Sequence, residues 1–212
     1  GKDDSQVVFE SAPSTLNALA VQADNGILVQ VDVTADTGLL MLDGDSDSAT
    51  TNDEDASNKV AISGARTLTS AGLMTLDATT GGIVRSGSAT FTLKAASGVD
   101  IHDAVSGTVT GQELHIDADT DDNGSSTFTI ASSRELSSYN GVLSITASDA
   151  DISGTVSSGT AKTVLSVTNG HTVALGSSGS KQFTLTGAEL AKITSTGMNL
   201  GGDSSGSIYV NG

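Results

Sequence analysis

The sequence predicts an all-β protein, a parallel β-solenoid of about nine coils, with one short helical turn near 188–193. Three observations point there. Short apolar–polar–apolar triplets recur along the chain, turn-forming residues fill the gaps between them, and one block of sequence returns at an offset of about 70 residues.

The elements follow in order. Ile27, Val29, Val31 and Val33 alternate with polar or smaller neighbours. Leu40–Leu42, Met74–Leu76, Phe91–Leu93, Leu114–Ile116, Phe128–Ile130, Leu143–Ile145, Phe183–Leu185 and Ile208–Val210 are triplets whose outer two residues share a side. Successive side chains on a strand point to opposite sides, so each triplet offers two apolar residues to one interior. Gly, Asn, Asp and Ser between them supply turn chemistry. Helical spacing is confined to Ala188–Ile193.

The composition removes several function classes. There is no Cys, which excludes a disulfide scaffold, a thiol nucleophile and a thiolate zinc site. With 9 Lys+Arg against 25 Asp+Glu the net charge is −16, which argues against a nucleic-acid or anionic-membrane partner. No apolar run reaches the roughly 20 residues of a membrane helix, so no membrane insertion is expected. The chain opens at Gly1 without an initiator Met or a signal peptide, and a mature or excised piece is expected.

The recurrence spans most of the chain. Val60–Ser70 reads against Phe128–Ser138, and Gly72–Leu76 against Gly141–Ile145. The acidic turn Leu42–Asp47 reads against Ile116–Asp121, and Ser86–Ala89 against Ser158–Ala161. The organisation expected is one solenoid segment over 1–212 with internal repeats at about 39–110 and 112–182. Each would hold roughly three coils. At about 4.7–4.9 Å per rung, nine coils make a rod about 40–45 Å long. Ile208–Gly212 ends on a strand and turn with no cap, so part of a longer tandem array, or a subunit stacked end to end, is expected.

The blocks Arg66–Ser70, Gly72–Ala78 and Gly187–Gly197 resemble repeats of the filamentous-haemagglutinin-like, β-strand-repeat giant secreted surface proteins of bacteria and some aquatic protists. The resemblance covers most of the chain and rests on strand and turn patterns rather than on a catalytic signature. It implies a right-handed parallel β-helix in an extracellular fibre, adhesin or surface layer.

Candidate sites are few. Asp43, Asp45 and Asp47 alternate, and Glu54 stands twelfth counted from Asp43, which is calcium-loop spacing. Ser48 occupies the sixth position, where such a loop carries Gly. Asp117, Asp119 and Asp121 repeat the theme without a glutamate at the twelfth position. These residues are candidate Ca²⁺ ligands; the alternative is a solvated, charge-repelling turn. No other cofactor is implied. Asn123-Gly124-Ser125 is a formal N-glycosylation sequon, with Asn123 as acceptor. Arg66 and Arg134 occupy equivalent repeat positions, so a structural pairing with a carboxylate is expected of both. His102, His115 and His171 lack metal-ligand spacing, and His115 is expected on an outward position. Ser46–Asn58, missing from the second repeat, is expected to loop out.

The function these features predict is architectural: a non-enzymatic, extracellular or cell-surface β-solenoid filament, appendage or coat. Its partner would be itself or neighbouring repeats, end to end. The alternatives are an adhesin stalk or glycan- or surface-binding module, with aromatic content of 3% weakening a sugar-stacking platform, and a polysaccharide lyase or hydrolase, which needs a groove of unique Asp and Arg residues.

Overall fold

The computed structural model describes residues 5–48, 57–176 and 181–211. The chain winds as a parallel β-solenoid with three faces, one short strand per face in each rung. Rung one is β1 (Val7–Phe9), β2 (Ser14–Leu16) and β3 (Leu19–Gln22); rung two is β4 (Ile27–Val29), β5 (Val33–Ala35) and β6 (Leu40–Asp43). Rung three is β7 (Val60–Ser63), β8 (Arg66–Ser70) and β9 (Met74–Asp77); rung four is β10 (Ile83–Ser86), β11 (Phe91–Ala95) and β12 (Val99–Ile101). Rung five is β13 (Val105–Gly107), β14 (Leu114–Asp117) and β15 (Thr127–Ile130); rung six is β16 (Glu135–Ser137), β17 (Leu143–Ala147) and β18 (Asp149–Ile152). There follow β19 (Thr155–Ser157), β20 (Lys162–Val167), β21 (Val173–Gly176), β22 (Phe183–Leu185), α1 (Gly187–Leu190), β23 (Ile193–Thr194), β24 (Gly197–Leu200) and β25 (Ile208–Asn211). Among the described residues the first and second faces each stack eight strands, close to the nine coils expected. Long turns such as 118–126 take up the difference.

The alternation of the triplets explains both burial and stacking. On the first face Ile27, Val60, Ile83, Val105, Leu136 and Val156 sit one above another and are buried. On the second, Leu68, Leu93, Ile116, Ile145 and Leu165 do the same, and on the third Leu42, Leu76, Ile101, Ile130 and Ile152. A single rung has no partner for its inner side chains; its neighbours above and below bury them. The intervening residues, Thr67, Thr92, His115 and Ser144 among them, point outward.

Three sequence expectations change in detail. The run Ile27–Val33 is not one strand: β4 ends at Val29, the chain turns through Gln30–Asp32, and β5 starts at Val33. Alternation persists through a tight corner, so the corner leaves no mark on the pattern. The second concerns the recurring blocks, which fall on different faces. Leu42–Asp47 leaves the third face and Ile116–Asp121 the second; β7 and β8 lie on the first and second faces, while β15 and β16 lie on the third and first. The offset there is eight strands, not a whole number of rungs. A strand–turn unit that needs only an apolar interior serves on any face. The helix over Ala188–Ile193 is shorter than its pattern: α1 ends at Leu190 and Ile193 already begins β23. Thr186 and Glu189 form a capping box at its start.

Corners are held by residues in the left-handed region. Asn140 has φ 65°. Its Oδ1 accepts from Thr160 N at 2.9 Å, and its Nδ2 donates to Thr110 Oγ1 at 3.3 Å, tying corners of three successive rungs. Asn140→Ala is expected to cost about 1–2 kcal/mol, because Ala tolerates neither the conformation nor the bonds. Asn140→Gly is expected to cost less, since it restores the backbone freedom alone. Urea denaturation of the two variants checks this; equal loss in both would mean that backbone conformation contributes nothing.

Candidate functional site

The chemistry-bearing side chains gather at three places: the acidic turns, the corner from the third face to the first, and the last rungs.

The acidic turns share one local geometry. Asp43 Oδ1 accepts from Asp45 N at 3.2 Å, and Asp117 Oδ1 from Asp119 N at 3.3 Å. This Asx-type bond turns the second aspartate inward. Asp45 is only 1% exposed, and its Oδ2 accepts from both Thr80 N and Thr80 Oγ1 at 2.7 Å. Asp119 is equally buried; its Oδ2 accepts from Gly124 N at 3.2 Å and Thr168 Oγ1 at 2.5 Å. So the repeat reproduces a buried acceptor that fastens one rung to another. Asp47 and Asp121 remain on the exposed side. Glu54 lies outside the described residues, as does most of the predicted 46–58 loop. Among the described residues no three carboxylates or histidines converge as a metal-binding group. Asn123 is exposed; its Nδ2 donates to Asp121 Oδ2 at 2.7 Å and its Oδ1 accepts from Ser125 N at 2.9 Å.

The third-to-first corner was not singled out in the sequence. Asp77 ends β9, His102 and Asp103 follow β12, and Arg134 precedes β16, so three rungs meet there. Arg134 Nε lies 2.8 Å from Asp103 Oδ1, and His102 Nδ1 lies 3.5 Å from Asp77 Oδ2. Asp103 Oδ2 also accepts from Ala78 N at 3.4 Å. Burial of Asp103, and then the hydrogen bond it shares with Asp77, push its carboxyl up to about 6 against the opposing pull of Arg134. Arg134 thus meets the expected carboxylate; Arg66 instead donates to its neighbour's carbonyl, Ala65 O, at 2.6 Å. A groove of about 310 Å³ runs past this corner between Arg134, Glu135, Gly154 and Lys192. Lys192 Nζ is engaged by the carbonyls of Ile152 and Ser153 at 2.9 and 3.0 Å. With a side chain only 4% exposed behind Arg134, Asp103 is engaged by Arg134 and Ala78 N rather than open to the groove. The arrangement is a polar clamp between rungs. The pattern Ile101-His102-Asp103 carried the signal, since alternation from the inward Ile101 turns Asp103 inward too.

The last rungs hold a second hollow, about 460 Å³, between Thr172, Lys181, Gln182 and Tyr209. Lys181 Nζ sits 4.9 Å from the centre of the Tyr209 ring, a cation–π contact.

Ladder bonds stay open at both described ends. Val7 N donates to Gly26 O and Phe9 O accepts from Gln30 N, so the intervening Val8 turns its own N–H and C=O away from β4. At the other end Val173 N donates to Ser207 O, which turns the Ile208 N–H away from β21. Ile208, Tyr209 and Val210 are all exposed, although they form the predicted strand.

The chain matches no known family profile, no curated protein and no solved structure.

Proposed function

We propose that this chain is a structural β-solenoid segment of an extracellular or cell-surface filament, appendage or coat, joined end to end with neighbouring solenoid rungs. The observation that carries the reading is the pair of open ladder edges, at Val8 in the first described rung and at Ile208 and Val210 in the last. Unpaired parallel edges over an apolar interior are a template for further rungs, and growth there lengthens a stiff rod without new chemistry. The sides resist sticking: outward positions carry Thr, Ser, Asp and His, and the chain bears a net charge of −16. The likeness of its strand–turn blocks to secreted surface repeats points the same way. Gold-labelled antibodies raised against the chain are expected to decorate fibres or a surface coat on intact source cells. Labelling confined to the cell interior would contradict the proposal.

A further inference from the structure

The three faces do not end level. Among the described residues the first and second faces carry eight strands each, ending at β23 and β24. The third carries nine, because β18 is followed by β22, then β21, then β25. The chain leaves β20 and lays down β21 one level too high, then places β22 beneath it. Thr184 N of β22 donates to Asp149 Oδ1 of β18 at 3.1 Å, a side-chain bond where the ladder is interrupted. Above, Val173 stands in register with both Phe183 and Ile208. So β25 rises one level beyond the other two faces. Its exposure says the same: Val173 and Phe183 are buried, whereas Ile208 and Val210, on the same inward side, are 44% and 72% exposed.

We propose that β25 is a key that sets which end can dock on this one. Rungs stack at about 4.7–4.9 Å. A second copy that set its β1 on β23 and its β2 on β24 would bring its β3 to the level β25 already fills. Identical chains therefore do not stack head to tail in register. The occupant that fits is a solenoid end that supplies apolar-inward strands on the first and second faces at that level and lacks the third-face strand. Such an end covers Ile208 and Val210 and pairs with β23 and β24. The inference rests on the end-to-end reading proposed above and names its selectivity.

The test removes the key. Deleting residues 207–212 leaves β21, β23 and β24 flush. By sedimentation velocity and electron microscopy, the full chain is expected to remain single rods at high micromolar concentration. The shortened chain is expected to form unbranched strings, and Val8→Pro, which removes the free ladder donor at the opposite end, is expected to abolish them. Should the shortened chain fail to fold by circular dichroism, Tyr209→Pro serves instead, since it detaches β25 from β21 without shortening the chain. Strings formed by the full chain, or single rods from folded key-less variants, would overturn the proposal. Gold labelling confined to the cell interior would instead remove the fibre reading and leave this end geometry standing.

Discussion

Arg85→Ala is expected to cost about 3–5 kcal/mol of folding free energy. Arg85 lies on the inward side of β10, two residues beyond Ile83, and is 2% exposed. Its ladder neighbours are Ile62 below and Gly107 above. Gly107 matters because a β-carbon there would come within 3.4 Å of Arg85 Nη2 and 3.0 Å of Gln112 Oε1. The side chain climbs through that space and donates to Glu113 O at 3.2 Å and Ser137 O at 3.3 Å, spanning rungs four to six. Burial lowers its pKa to about 10, so it remains charged at neutral pH, with carbonyl dipoles as its bonded acceptors. Truncation leaves a cavity and removes the guanidinium donors from Ser137 O and from Glu113 O, which keeps only Phe91 N. Arg85→Lys is expected to lose about half as much, since one ammonium cannot reproduce the fork. Urea denaturation measures both; a loss below about 0.5 kcal/mol for the alanine variant would mean the interior closes over the gap.

Stability is expected to rise as pH falls from 7 toward 4.5, the reverse of common acid denaturation. Asp103 sits at about 6 against an ordinary 3.8. Burial likewise raises Asp117 and Asp149. A carboxyl whose folded pKa is raised binds its proton more tightly in the folded state. Its contribution is therefore full below about 3.8 and is lost as pH rises through about 6. For Asp103 this is on the order of 2 kcal/mol, a shift of several degrees in Tm. Asp103→Asn removes the titration, and its one carbonyl oxygen accepts from Ala78 N or Arg134 Nε but not from both. It is expected to flatten the pH dependence of Tm. A variant with the parent's slope would place the titration elsewhere.

What the sequence announces and what it hides have a common physical cause. Leu40–Leu42, Met74–Leu76 and Leu143–Ile145 are legible because alternation is local, and burial of every other residue follows from strand geometry. Register between Leu42 and Leu76 is set across a polar insertion, so nothing local marks it. The same holds for the face shift between Val60–Ser63 and Phe128–Ile130, whose like sequences serve different faces. The acidic turns were legible as a repeated motif, but not as buried acceptors: the donors that Asp45 and Asp119 meet inside, Thr80 and Thr168, come from other rungs. Arg85 and Asp103 follow inward apolar residues at a spacing of two, which alternation alone reveals. Nothing in Val173–Gly176 or Phe183–Leu185 tells that the later strand lies beneath the earlier one, since both are short, largely apolar segments.

In the filament proposed above, rungs of this chain run perpendicular to the axis. Fibre diffraction from oriented filaments that carry the gold label tests it most directly. A strong meridional reflection is expected at about 4.7–4.9 Å, the spacing of strands stacked along the fibre. The same reflection on the equator, with strands running along the fibre, would contradict it.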